Sequence, residues 1–187
     1  MARQTAISIN TIPIGPLGII GMPGCEELTD KIDKYLVKWR KTQASEHAES
    51  IAFFGYQRDT YKIDVSIPRF GSGEGKGVIN ESVRGYDIYI VCDVFNYSCS
   101  YDMYGRKVYM SPDDHFADLK RVISALCSKP KRVSVIMPML YEGRQHKRSS
   151  RESLDCAMAL KELVHLGVEN IITFDAHDQR VQNAIPD

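Results

Sequence analysis

The chain has 187 residues, 24 basic and 24 acidic, so its formal net charge is zero, which excludes a dedicated nucleic-acid binder with its large basic face. Its five cysteines (Cys25, Cys92, Cys99, Cys127 and Cys156) are scattered, odd in number and form no CxxC pair, which fits reduced thiols in a cytoplasmic protein better than a disulfide framework or a zinc site. No apolar run reaches the length of a membrane span, and the start MARQTAISINTIPIG lacks the charged-then-apolar pattern of a signal peptide.

Residues 1–16, broken by Pro13, Gly15 and Pro16, predict an extended arm or an edge strand. Residues 17–22 form a short apolar run, Pro23–Gly24 predicts a turn, and residues 25–41 predict a helix with Leu28, Ile32, Tyr35, Leu36 and Trp39 on one face. Glu26 and Glu27 open that helix and Lys38, Arg40 and Lys41 close it, as the helix dipole favours. A polar loop leads to a strand at 51–56, and the alternation of Tyr61, Ile63, Val65 and Ile67 predicts a half-exposed strand ending near Pro68.

The glycine-rich stretch RFGSGEGKG follows, then a turn at 82–85 and a strong strand at 88–94. Residues 96–110 are polar and aromatic without a period, which predicts an inserted loop or a small hairpin. Ser111, Pro112, Asp113 and Asp114 form a helix start, and Phe116, Leu119, Val122, Ile123 and Leu126 its buried face, with Lys129–Pro130 as the stop. A strand at 133–137 stops at Pro138. A helix with Leu154, Met158, Leu160 and Val164 at helical spacing stops at Gly167, and a strand at 171–174 stops at Asp175. Alternating strands and helices predict an α/β fold, a three-layer sandwich around a mostly parallel sheet, with 133–174 as a right-handed strand–helix–strand crossover.

In such a unit the loop after the first strand and the residues ending the second emerge on one edge of the sheet, where ligands bind. Arg144, Gln145, His146, Lys147, Arg148 and Arg151 are therefore expected to face the same crevice as Asp175 and His177. A basic run is commonly a solvated face, but this one is rich in arginine, whose planar fork grips phosphate oxygens in pairs. Asp175 and His177 are either a carboxylate–imidazole hydrogen-bonded pair or groups that hold Mg²⁺ beside phosphates. The stretch FGSGEGKG satisfies neither nucleotide fingerprint. A Walker A loop needs glycine where Phe70 stands and Ser or Thr where Gly77 stands, and no helix opens from it as a dinucleotide site requires. From spacing alone it is a flexible surface loop. No Ser-His-Asp arrangement or catalytic carboxylate pair is recognisable.

Three motifs in one order give the chain a resemblance to ribose-phosphate pyrophosphokinases (PRPP synthetases). FGSGEGKGVINESVRG resembles that family's adenine-loop segment, YEGRQHKRSSRES its Y-A-R-Q-D loop, and ITFDAHDQRVQ its I-T-M-D-L-H segment, while GIIGMPGCEELTDKI resembles its first strand and helix. The resemblance covers roughly residues 17–95 and 113–187. It implies a phosphoribosyltransferase-like domain over residues 1–187 that binds ATP, in an enzyme that transfers pyrophosphate from ATP to ribose 5-phosphate with Mg²⁺.

By position, Phe70, Ser72 and Glu74 would contact adenine, Arg144 and Gln145 would meet ATP, and Asp175 with His177 would sit at the Mg²⁺–ATP position. The loop around Phe70 reaches a neighbouring subunit in such enzymes, so a homo-oligomer with an intersubunit ATP site is implied. The departures are also clear. His146 stands where the family has Asp, Ser149 where it has another Asp, and Gly71–Ser72 replaces its Ser-Asp. The family's second domain, which supplies the ribose-phosphate loop and the catalytic Lys and Arg, is expected to lie outside this sequence, so no catalytic residue is assigned here and the chain alone is expected not to make PRPP at a useful rate. The alternative is a non-catalytic regulatory or assembly subunit that keeps the fold.

Overall fold

The computed structural model describes residues 13–46 and 57–185, so the strand expected at 51–56 and most of the N-terminal arm lie outside the described residues. In chain order the elements are β1 (Leu17–Gly21), α1 (Glu26–Glu46), β2 (Val65–Ser66), β3 (Val78–Ile79), β4 (Asp87–Val91), β5 (Ser100–Met103), β6 (Arg106–Tyr109), α2 (Pro112–Ala125), β7 (Arg132–Ile136), α3 (Asp155–His165), β8 (Asn170–Ile172) and a 3₁₀ turn at Gln179–Ala184. Strands β1, β4, β7 and β8 pair in that order, every neighbour parallel. Parallel strands covered on both faces need near-continuous apolar runs, and LGIIG, DIYIV and RVSVI supply them.

Alternation along the strands sends side chains to two layers. On one face Ile20, Ile88, Ile90, Val133 and Val135 pack with Leu119, Val122 and Ile123 of α2 and with Leu160 and Leu163 of α3. On the other, Ile19 and Val91 pack with Ile32, Leu36 and Val37 of α1. The expected three-layer α/β sandwich is therefore present. β8 is its edge strand, and the chain leaving it carries Phe174 with 78% of its surface exposed.

The helices sit where the sequence places them but with two buried stripes rotated. α1 runs to Glu46, so Lys38, Arg40 and Lys41 are not its last turn. Its Leu28 and Tyr35 are exposed, whereas Thr29 and Asp33 are buried. The reason is polar: the Asp33 carboxylate accepts the Tyr61 N–H at 2.7 Å and the Thr60 hydroxyl at 2.9 Å, which fixes the face that points inward. α3 buries Cys156, Ala159, Leu160 and Leu163 and exposes Met158 and Val164. Small residues there let the helix approach the sheet, a signal that counting large apolar side chains does not detect. α2 matches expectation: Phe116, Leu119, Val122, Ile123 and Leu126 are all buried. Its stop comes earlier than Lys129–Pro130, at the Leu126 cap, where Cys127 and Ser128 take positive φ.

The alternating stretch from Tyr61 flanks β1 before turning away. Ile19 N–H donates to the Tyr61 carbonyl and Ile63 N–H to the Ile19 carbonyl, both at 2.8 Å, with Tyr61 and Ile63 buried. The chain then enters the antiparallel pair β2–β3, whose tip is the glycine-rich stretch. That tip is not an unstructured loop. Phe70 N–H donates to the Glu74 carbonyl and Gly73 N–H to the Phe70 carbonyl, and a Cβ at Gly77 would lie 2.6 Å from the Arg121 carbonyl oxygen, so the strand lies directly on α2. Residues 96–110 contain the hairpin β5–β6. Among the described residues no helix is long and apolar enough to cross a membrane, and all five cysteines are free.

Candidate functional site

The segments that follow β4, β7 and β8 converge at the carboxyl edge of the sheet around a cavity of about 480 Å³. Phe95 and Tyr97 come from the chain after β4, Pro112 and Asp113 from the first turn of α2, Met139 to Arg144 from the chain after β7, and Asp175 and His177 from the chain after β8. A cleft of about 580 Å³ on the α1 face of the sheet is larger, but its lining is mainly aliphatic and its Arg132 is already paired with Asp87. The edge cavity gathers Arg144 and three carboxylates, those of Asp113, Glu142 and Asp175, among its lining.

The local sequence explains how these groups are presented. The capping box of α2, in which Ser111 Oγ accepts the Asp114 N–H and Asp114 accepts the Ser111 N–H, fixes the first turn. The next side chain, Asp113, accepts the Tyr141 hydroxyl at 2.7 Å, and the Tyr141 ring stacks on Phe116 at 4.3 Å. Pro138 ends β7, and Glu142 follows with φ +55. After β8, Asp175 Oδ1 accepts the His177 N–H at 3.0 Å in a tight turn that gives His177 φ +54. Two cavity residues thus hold left-handed backbone that side chains disfavour.

The cavity lining carries charge of both signs: Arg144 is basic, Asp113, Glu142 and Asp175 are acidic, and the His177 imidazole stands beside Asp175. Burial raises the Glu142 carboxyl above its ordinary value, with Asp155 and Asp113 adding repulsion. Burial also raises the Tyr141 hydroxyl, helped by its hydrogen bond to Asp113, so it stays a donor. The arrangement suits a ligand that brings several negative charges together with a cation.

Of the expected basic run, only Arg144 lines the cavity. Gln145 is exposed and closes a turn through its N–H to the Glu142 carbonyl, 2.8 Å. Lys147, Arg148 and Arg151 are exposed outside it. His146 packs instead against the 3₁₀ turn: Nε2 lies 3.2 Å from Asp178 Oδ2, and its ring centroid is 5.7 Å from that of His177. Hydrogen bonds from Arg180 hold Asp178 well below the usual carboxylate range. Phe70, Ser72 and Glu74 do not line the cavity. They sit together at the β2–β3 tip, where Ser72 Oγ donates to Glu74 at 2.7 Å and Phe70 is 58% exposed. Sequence reasoning missed Phe95, Tyr97, Asp113, Tyr141 and Glu142. Position was the available signal, since each follows a central strand or opens the helix beside one.

No group of three or more His, Cys, Asp or Glu able to hold a metal exists among the described residues. Asp175 has one oxygen engaged by His177 N–H, which leaves one oxygen and an imidazole. That set does not make an all-protein metal site. It does fit Mg²⁺, which keeps waters and takes most of its ligands from phosphate oxygens.

A parallel three-layer sandwich with a charged crevice at its carboxyl edge defines an α/β domain of the ligand-binding kind. The chain belongs to the family described as the N-terminal domain of ribose phosphate pyrophosphokinase, which matches residues 17–167. It is 28% identical over 138 residues to ribose-phosphate pyrophosphokinase 1 of Schizosaccharomyces pombe, covering 73% of this chain and 30% of that one. It is 27% identical over 122 residues to the ribose-phosphate pyrophosphokinase of Vibrio parahaemolyticus, covering 64% and 34%. Its fold matches the crystal structure of phosphoribosylpyrophosphate synthetase from Mycobacterium smegmatis with a TM-score of 0.63 at 20% identity, over 90% of this chain and 45% of the other. The match therefore spans about a third of the length of these curated relatives.

Proposed function

We propose that this chain is the ATP-binding N-terminal part of a ribose-phosphate pyrophosphokinase, an enzyme that transfers the β,γ-pyrophosphoryl group of ATP to the anomeric hydroxyl of ribose 5-phosphate and releases AMP. The observation that carries this reading is the convergence of Arg144, Asp175 and His177 on one cavity at the carboxyl edge, within a chain of this family. Arg144 grips phosphate oxygens with its guanidinium fork, and Gln145 beside it adds a polar contact once the nucleotide is seated. Asp175 and His177 would hold Mg²⁺ through the free carboxylate oxygen and the imidazole. Bound there, the cation neutralises charge on the phosphates. Asp113 and Tyr141 form a fixed hydrogen-bonded wall that limits where the polyphosphate can lie. Positioning and charge neutralisation are the main demands of phosphoryl chemistry, and none of these side chains needs to act as a nucleophile.

Phe70, Ser72 and Glu74 take the adenine of a neighbouring copy. Their clustering at an exposed tip outside their own cavity supports a homo-oligomer with a shared site. In the enzymes that the chain resembles, ribose 5-phosphate and the catalytic Lys and Arg belong to a second domain, so no catalytic residue is assigned here. Five free thiols support a reducing, cytoplasmic setting. Calorimetry with Mg·ATP tests the site: Arg144→Ala should weaken binding by about 1.5–3 kcal/mol, the scale of a hydrogen bond to a charged group. Equal affinity in the variant would remove Arg144 from the site.

A further inference from the structure

The β5–β6 hairpin touches both places where the nucleotide is proposed to bind. At its root Phe95 and Tyr97 line the cavity. Asn96 between them is tied down twice: its Nδ2 donates to the Gly24 carbonyl at 3.0 Å, and its own carbonyl accepts His115 Nε2–H at 2.8 Å. Further out, the hairpin lies on the β2–β3 tip. Tyr104 N–H donates to the Gly71 carbonyl at 2.9 Å. The Arg69 guanidinium sits 4.3 Å from the Tyr101 ring centroid, donates to the Gly73 carbonyl at 3.2 Å and pairs with buried Asp118. Gly73 has φ +91, and a Cβ there would meet Met103 Sδ at 3.0 Å and Tyr101 at 3.2 Å, so the turn has no room to relax on that side.

We propose that the β5–β6 hairpin is a brace that holds residues 70–74 in a single conformation for contact with a nucleotide base, with Arg69 and Tyr101 as positioning residues. The brace rests on the reading that this turn meets adenine. The backbone of the turn is fixed from behind while Phe70 stays exposed in front. A turn ordered in advance loses little conformational entropy on binding, so the brace acts on nucleotide affinity. Arg69 joins the three parts, since one guanidinium contacts the turn, the hairpin and α2.

The ends of the hairpin are adjacent, because Met110 N–H donates to the Cys99 carbonyl at 2.9 Å. Residues 100–109 can therefore be replaced by a short glycine link. The paired variant Tyr101→Leu with Met103→Ala keeps the hairpin backbone and serves if the excised chain does not fold. Amide hydrogen exchange and Mg·ATP calorimetry are then run on the 187-residue chain. The expected result is exchange at the Phe70, Gly73 and Lys76 amides faster by roughly tenfold or more, with β4 amides still protected. The Kd for Mg·ATP should rise by roughly tenfold with it. Unchanged exchange in both variants overturns the brace. Faster exchange with unchanged Mg·ATP affinity keeps the brace but removes the turn from the nucleotide site, which overturns the reading on which the proposal rests.

Discussion

Glu142 shows how a single residue links site and stability. Its carboxyl lies above its ordinary value because burial, then Asp155 and Asp113, disfavour the charged form. The folded chain therefore binds that proton more tightly than the unfolded chain does. Stability falls as pH rises from the ordinary glutamate value, about 4.3, through the raised one. Glu142→Gln removes this dependence, so the variant should gain stability over the parent as pH rises through that window. Urea unfolding at pH 4 and pH 7 checks it, and a difference of the opposite sign would show that Glu142 is paired rather than crowded in the fold. The φ of +55 at this residue is a second cost at the same position, and neither cost serves the packing of the core.

Among the elements, α2 carries the most weight for the site, because its capping box places Asp113 at the cavity wall. Ser111→Ala should destabilise the chain by about 1 kcal/mol, as the loss of a serine cap does. It should also weaken Mg·ATP binding as the first turn frays, read by denaturant unfolding and calorimetry together. A drop in stability with intact binding would mean that the cavity wall does not depend on the cap. The start and buried stripe of this helix were legible in the sequence, since a Ser-Pro-Asp-Asp start and five apolar side chains agree on one stripe, but its stop was expected too late, at Lys129–Pro130.

α1 and α3 were legible as helices but not in orientation. Asp33 holds the Tyr61 segment, and Ala159 and Cys156 face the sheet, so polar and small side chains fill the places where large apolar ones were expected. The site was legible in part for a similar reason. Arg144, Asp175 and His177 come together because they end adjacent parallel strands, which strand order makes predictable. His146 differs because its interaction with Asp178 depends on a 3₁₀ turn that no periodicity announces.

For the whole molecule, the two sides of the sheet are finished differently. At the β1 side the segment around Tyr61 continues the pairing through Ile19. At the other side β8 presents Asn170–Ile172 as the outermost strand among the described residues, with Ile172 and Phe174 exposed. A free strand edge is a template onto which another chain can add, and proteins guard against this with short edge strands and charge. Here the guard is brevity and the acids that flank the strand, Glu169 and Asp175, while the exposed Phe174 ring stands between the strand and Asp175. In concentrated solution this border is where disordered association should begin. Phe174→Lys should lower concentration-dependent light scattering without changing the fold's unfolding midpoint by more than about 0.5 kcal/mol, the range of surface substitutions. Unchanged scattering would place the sticky surface elsewhere. The border that gives the site Asp175 and His177 thus also carries the exposed Ile172 and Phe174, so ligand crevice and association surface share one side of the sheet.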